Sequence, residues 1–434
     1  AAPLSAQDGF ADQSFGFGDD DAGGAFGGGS TLAVSIGGEA GASMTGFFDD
    51  FSNGADESWL GDIFSGKLNF SAEGSAAKGV INLKLAPGLV YYDAQSPVFV
   101  DEAYVTAYFG NFNVTGGLHK LTWGKADSTG PLDVINPLDY ADLSAMDMSD
   151  AGSLKIARPL VHASLVLGQF SKLETVFVPN FEPLRFAESG RWAPAQFAQF
   201  EQLAALGVPV NRPDTTTLDY AQAGLRFTTT IANAADIGVQ YYYGRLTKPA
   251  VTMSVAPPSP LPLAVDFAYN PYHQIGVDYA QVIAGFNLRA EFAANITRDS
   301  GGDDSTVYNP SLAWSLGFDR DFWGINLNLQ CNETIRLFDG AITSPLDIEA
   351  ESDLTATQIT AQLSKKFLRD ELELKAALVW EIESGACLII PALVWAKNDV
   401  AVELSAGIFA GSDEGLFGQF HDNSFVKVGL KYTF

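Results

Sequence analysis

From Leu32 to the C-terminus, apolar and polar residues alternate in run after run. Leu32, Val34 and Ile36 interleave with Ala33, Ser35 and Gly37. Ala103, Val105, Ala107 and Phe109 interleave with Glu102, Tyr104, Thr106 and Tyr108. The period recurs at Phe286, Leu288, Ala290, Phe292 and Ala294, and again at Val400, Val402, Leu404 and Ile408. A period of two places each set on its own face of a sheet. The runs span about 10–14 residues, longer than the roughly 5–6 of a globular strand. The parse predicts about 18 strands, near 32–47, 65–75, 77–86, 100–109, 112–123, 156–168, 171–178, 217–230, 236–246, 271–282, 285–298, 308–320, 324–336, 355–367, 371–381, 387–397, 399–410 and 424–434. Counts of 16 and 14 stay open.

The connections alternate in length as well. Those at Gly110-Asn111, 232–235, 320–323, 366–370 and 397–398 are short. Those at 48–64, 87–98, 124–155, 179–216, 247–270, 299–308, 337–354 and 411–423 are long. Segment 382–386 is short where a long one is due. Long strands, with short turns on one side and long loops on the other, predict an all-β, antiparallel, up-and-down transmembrane barrel. Lipid offers the backbone no hydrogen bonds, so a spanning sheet must close on itself.

Composition sharpens this picture. The chain has 434 residues, 47% hydrophobic and 12% aromatic, but only 18% charged. A soluble protein carries about 25% charged residues. A face turned to lipid explains the deficit, because Lys or Arg at mid-depth costs about 2–4 kcal/mol there. Lys and Arg number 25 against 52 Asp and Glu, a net charge of −27. That balance excludes a nucleic-acid partner. Much of the excess lies in long loops: Asp127, Asp133, Asp139, Asp142, Asp147 and Asp150 in one, Asp299, Asp303 and Asp304 in another, Asp347, Glu349, Glu351 and Asp353 in a third. An acidic mouth favours cations over anions. No run has calcium-loop spacing.

The lumen-facing set includes Glu39, Lys67, Lys84, Arg226, Asp278, Arg289, Glu291, Glu373, Lys375, Glu403, Lys427 and Lys431, so both signs are present. Cys331 falls on the lipid face and Cys387 begins another strand, which gives them no shared disulfide register. Four scattered His residues lack metal-ligand spacing. No nucleophile elbow or phosphate-cradling loop appears. The sequence therefore predicts no enzyme, no metal and no cofactor.

Residues 1–30 form a Gly/Phe/Asp segment without either period. The expectation is a flexible periplasmic tail, with a periplasmic or surface partner as the sharper reading. The barrel is assigned 31–434. The opening Ala1-Ala2-Pro3-Leu4-Ser5-Ala6-Gln7 reads as a mature start after signal-peptide removal. Segment 254–263, rich in Pro, predicts a stiff exposed loop. Segment 194–207 predicts a short helix, with Pro194 in the first turn and Gly207 at the C-terminal cap. Its stripe of Phe197, Phe200, Leu203 and Leu206 is a candidate hydrophobic groove for a lipid-like ligand, or rim packing.

The final strand ends Leu430-Lys431-Tyr432-Thr433-Phe434, with Phe434, Tyr432, Leu430, Val428 and Val426 on one face. It resembles the terminal assembly signal of bacterial outer-membrane barrels. The resemblance implies a porin-like barrel in the outer membrane of a diderm bacterium, recognised by the barrel-assembly machinery and surrounded by outer-membrane lipids and lipopolysaccharide or its equivalent. With 18 strands, both termini fall on the short-turn, periplasmic side. Segment 123–139, from Trp123-Gly124-Lys125 to Asn136-Pro137-Leu138-Asp139, resembles a motif of barrels related to the long-chain fatty-acid transporter group. There, Trp-Gly ends a strand and Asn-Pro-x-Asp follows in an inward-folded loop. Asn before Pro favours an extended residue and an Asx-type turn that fixes the loop's direction. An inward loop would narrow a pore.

The expected function is an outer-membrane channel for passive diffusion of small solutes, cation-favouring at its mouth. The candidate loop and lumen determinants are Lys125, Asp133, Asn136, Asp139, Arg289, Glu291 and Lys427. The alternatives are a transporter of fatty-acid-like molecules and a non-conducting scaffold.

Overall fold

The computed structural model describes residues 32–49, 64–85, 98–127, 129–146, 151–232, 234–254 and 262–434. The expected tail at 1–30 and most of the Pro-rich segment lie outside these. Among the described residues, the barrel strands are β1 (Ala33–Phe47), β2 (Phe64–Glu73), β3 (Ala77–Leu85), β4 (Val98–Phe109), β5 (Phe112–His119), β6 (Arg158–Leu167), β7 (Ser171–Val178), β8 (Gln222–Ile231) and β9 (Ala235–Arg245). They continue with β10 (Pro271–Ile283), β11 (Phe286–Thr297), β12 (Ser311–Phe322), β13 (Ile325–Arg336), β14 (Thr355–Phe367), β15 (Leu372–Glu381), β16 (Cys387–Lys397), β17 (Val400–Ala410) and β18 (Phe425–Thr433).

Each strand pairs antiparallel with the next, forming an 18-stranded sheet. β18 then pairs antiparallel with β1, from Glu39 opposite Thr433 to Phe47 opposite Phe425, and the barrel is closed. All eighteen strands fall where the alternation places them. Closure leaves no unpaired edge, which lipid could not satisfy.

The alternation becomes a burial pattern. On β10, Gln274, Gly276 and Asp278 are buried inward, while Ile275 and Val277 are exposed outward. On β18, Val428, Leu430, Tyr432 and Phe434 point outward as expected. Ala284-Gly285 and Trp323-Gly324, at two short turns, have positive φ at both residues, as two-residue primed hairpins require. Both cysteines are free, one on β13 and one on β16.

Two boundaries differ from the sequence parse by four residues or more. β5 ends at His119 rather than at Trp123. The Leu121 N–H donates to Asn136 Oδ1 at 2.8 Å instead of to the neighbouring strand. β8 starts at Gln222 because Leu218–Tyr220 form a 3-10 turn. The long loops also hold strands that no period announces. Asp139–Tyr140 pairs parallel with Arg185–Phe186. Val210–Asn211, Ala264–Ala268 and Ala250–Ser254 form a three-stranded sheet.

The predicted helix is α1 (Ala195–Ala205). Pro194 stands at its N-cap. Gly207, at φ +85°, lets the chain leave after the last turn.

The seam is directly testable. In a Cys331→Ser, Cys387→Ser background, cysteines at Ala42 and Leu430, which face each other across β1 and β18, should form a disulfide that keeps the denatured chain circular on a gel. Cysteines at Ala42 and Val426 should not. The reverse pattern would refute this register.

Candidate functional site

The described residues of the segment joining β5 to β6, from 120 to 127 and from 129 to 146 above all, enter the barrel. Their backbone N–H and C=O groups need partners there, and inward side chains supply them. Glu291 on β11 is 3% exposed. Its carboxylate accepts the N–H of Lys125, that of Ala126 at 2.8 Å and that of Leu132 at 3.2 Å. Gln330 on β13 accepts the Asp127 N–H at 3.0 Å, and its amide donates to Thr129 O at 3.3 Å. Asn332 donates to the same carbonyl at 3.0 Å. Gln274 on β10 donates to Pro131 O, and Gln240 on β9 donates to Leu132 O. The segment 125–132 is thus clamped to β9, β10, β11 and β13.

Close approach needs bare backbone on the wall. Leu132 lies over Gly276, where a Cβ would collide with it. At Gly224 a Cβ would come within 2.6 Å of the Trp123 ring. Charge pairs add to the hold. Arg289 binds Asp127 and also Asp319 at 2.6 Å. Lys155 reaches Asp133 and Thr122 Oγ1, each at 2.6 Å. Burial pushes the Asp133 carboxyl above the usual aspartate range, against the pull of Lys155. The Asp127 carboxyl is likewise raised by burial against the pull of Arg289. Lys125 Nζ lies 3.7 Å from Asp236.

Asn136 staples the neck of the loop. Its amide donates to His119 O at 3.1 Å and Ile156 O at 2.8 Å, while its Oδ1 takes the Leu121 N–H. The side chain therefore ties the loop's two ends together rather than forming a local turn.

Beyond the neck, the chain crosses to the opposite wall. Asp139 pairs with Arg185 at 3.2 Å. Lys427 on β18 donates to Ser144 O at 3.1 Å. Leu143 is buried in an apolar cluster with Phe47, Trp192, Phe409, Phe420 and Phe425. Trp192, from the β7–β8 loop, lies 6.0, 5.4 and 5.6 Å from the rings of Phe47, Phe409 and Phe420. Arg191 fastens this cluster. Its guanidinium stacks 3.9 Å from the Phe47 ring and pairs with Asp49 at 3.0 Å. Asn423 Nδ2 donates to Arg191 O at 2.7 Å.

Beside the loop, toward the short-turn end, lies a cavity of about 630 Å³. Its wall comes from β1–β3 and β13–β18, with loop residues Asp139, Asp142, Ser144 and Met146 on the other side. Phe425 belongs to both the cavity wall and the apolar cluster, so the cluster roofs the cavity on the long-loop side.

A family model described as a protein of unknown function, DUF1302, matches residues 42–294, more than half of the chain. The chain belongs to that family. The matched span runs from β1 into β11 and includes the inward loop and Glu291. Solved structures share the DUF1302 chain's fold at low identity. OccK9 (OpdG) of Pseudomonas aeruginosa is 10% identical, with a TM-score of 0.51 over 93% of this chain and 97% of that one. OccK3 (OpdO) of the same species is 8% identical, with a TM-score of 0.51 over 92% and 95%. OccAB4 of Acinetobacter baumannii is 8% identical, with a TM-score of 0.50 over 93% and 98%. No curated protein matches the sequence. The fold is that of bacterial outer-membrane porin-like barrels.

The DUF1302 chain thus gathers the predicted loop and lumen residues around one feature. Lys125, Asp133, Asn136, Arg289 and Glu291 hold the loop, and Asp139 and Lys427 line the cavity. Phe197, Phe200, Leu203 and Leu206 do not join them. Phe197 meets Phe186 at 6.4 Å and Phe200 meets Phe267 at 5.2 Å, while Leu206 is 63% exposed. None of the four lines the cavity. Sequence reasoning missed Gln240, Gln274, Gln330 and Lys155. The first three sit at inward positions of the alternation, but an uncharged amide there looks like any wet lumen residue.

Glu291→Ala should release the loop while the barrel survives. Each charge-assisted hydrogen bond lost is worth about 1.5–3 kcal/mol. Amide hydrogen exchange at Lys125, Ala126 and Leu132 should accelerate at least about tenfold for 1.4 kcal/mol of lost local stability. Unchanged protection would show that Glu291 does not hold the loop.

Proposed function

We propose that this protein is an outer-membrane channel for passive diffusion of small polar solutes. The conduit is the cavity between the inward loop and the wall of β1–β3 and β13–β18. One observation carries the reading: the loop is clamped to one side of the lumen, which leaves about 630 Å³ against the other. That space is lined by side chains of both charge signs, including Lys67, Lys375, Glu373 and Glu403. A mixed polar lining suits solutes that shed little hydration. The short turns and both termini face the periplasm in this reading, and the long loops face outward.

A cation preference at the mouth belongs to the proposal. It rests on exposed loop carboxylates such as Asp303, Glu351 and Asp353. The acids of the inward loop contribute less, because Asp127, Asp133 and Asp139 each face a cation at contact distance. No observation favours the fatty-acid reading, since α1 and its apolar stripe stand away from the cavity.

The aromatic roof makes the described state a restricted one. Solute passage on this side requires Trp192 to leave its place among Phe47, Phe409 and Phe420. Trp192→Ala removes buried area worth about 3–5 kcal/mol at a core site, so the loops it ties together should part more readily. In planar bilayers the unaltered protein should give small, cation-preferring steps, and Trp192→Ala should raise the mean conductance severalfold. No current from either protein, both folded by heat-modifiable migration, would sink the channel reading. A reversal potential on the anion side would remove the cation preference alone.

A further inference from the structure

Three lysines on the cavity wall are unevenly matched with acids. Lys67 on β2 and Lys84 on β3 stand directly opposite each other in the strand register. Like charges in opposed positions destabilise a sheet. Lys431 on β18 lies across β1 from them, and all three line the cavity. Glu39 on β1 is the carboxylate between them. It pairs with Lys67 at 3.4 Å and with Lys431 at 3.4 Å. Among the described residues, Lys84 has no carboxylate in ion-pair range; its Nζ lies over the Phe99 ring, 6.0 Å from the centroid.

Acids on the loop side of the cavity are committed elsewhere. Asp139 is held by Arg185 at 3.2 Å. Asp142 accepts the Ser144 N–H at 2.9 Å and its hydroxyl at 2.6 Å. On the wall, Glu373 faces Lys375 at 3.7 Å. Glu403 on β17 also lines the cavity, so the lining as a whole carries both signs. Around Lys67, Lys84 and Lys431, however, the only carboxylate in ion-pair range among the described residues is Glu39, which makes the positive excess a local one at β1–β3 and β18. Charged side chains on the inner face of a barrel tune its selectivity.

We infer that Lys67, Lys84 and Lys431 form a subsite for the anionic group of a solute, a small carboxylate or phosphate dianion. Lysine ammoniums act as point charges with rotatable donors, which take either anion without a bidentate geometry. A volume of about 630 Å³ admits a small organic acid or phosphate ester. The acidic mouth acts through a field screened over about 8–10 Å, so it does not cancel a contact site deeper in the lumen. The subsite's role in passage rests on the channel reading, but its existence does not.

Equilibrium dialysis of the detergent-solubilised full chain, at low salt, tests it with labelled inorganic phosphate and labelled succinate. Saturable binding of at least one is expected, and the tighter of the two identifies the anion class. Lys84→Gln should weaken it about three- to tenfold, the scale of one charge-assisted contact. Lys67→Gln with Lys84→Gln should abolish it. Glu39→Gln should strengthen binding, since it removes the competing carboxylate, and Lys84→Arg should keep it. Lys397→Gln, paired with Glu371 outside the cavity, should change nothing. Heat-modifiable migration checks that each variant is folded. Absence of saturable binding to the unaltered protein, or binding indifferent to the double substitution, overturns the subsite. Binding without bilayer current leaves the subsite and removes the channel; current without binding does the reverse.

Discussion

Lipid cannot hydrogen-bond a peptide group, and everything else in this molecule is arranged around that fact. A spanning sheet with one open edge would strand a row of N–H and C=O groups in hydrocarbon. The ladder between Glu39–Phe47 and Phe425–Thr433 removes that edge. Once the sheet closes, each strand has one face for lipid and one for an enclosed space. The low charge of the sequence belongs to the first face. Its chemistry belongs to the second.

The enclosed space imposes the same accounting on the loop that enters it. A backbone segment away from bulk water needs partners, as a helix end does. Here the partners are side chains on a rigid wall. Glu291, Gln330, Asn332, Gln274 and Gln240 take up the polar groups of 125–132. Polar residues on the inner face are thus divided between two tasks. Those of β9–β13 pin the loop, and those of β1–β3 and β14–β18, with Asn326 of β13, stay on the cavity. The division fixes where open space is left in the lumen.

Much of the fold was legible in the chain because period two and the short/long loop rhythm are local signals. Eighteen strands could be counted from them, and α1 was announced by Pro194 and Gly207. The inward course of segment 123–139 was legible only by resemblance to other barrels. Physical reasoning expected Asn136 to set a local turn, whereas its amide spans 119, 121 and 156. That role depends on two stretches far apart in sequence meeting in space. The stripe of α1 left groove and rim packing both open, for the related reason that a helical apolar face does not say what it will meet. The glutamines were silent because an amide at an inward position has the same pattern whether it faces water or a loop.

Charge is where sequence and structure together say more than either alone. The net of −27 suggests a uniformly acidic channel. Instead, the inward loop's Asp127, Asp133 and Asp139 are each matched by Arg289, Lys155 and Arg185, and two of the three carboxyls are raised by burial. Each faces a cation at contact distance, but Arg289 is shared with Asp319 and Arg185 with Glu182, so their charge is offset in part and they shape the lumen as well as charge it. Exposed loop acids keep their field, but water and salt limit its reach. Inside, Glu39 is shared between Lys67 and Lys431, and Lys84 faces Lys67 with no carboxylate in ion-pair range among the described residues. In the proposed channel, a solute would meet a negative entrance and then a wall with a local positive excess. The sign of the whole chain does not give the sign of any one stretch of the inner wall, because pairing, not counting, decides which charges remain.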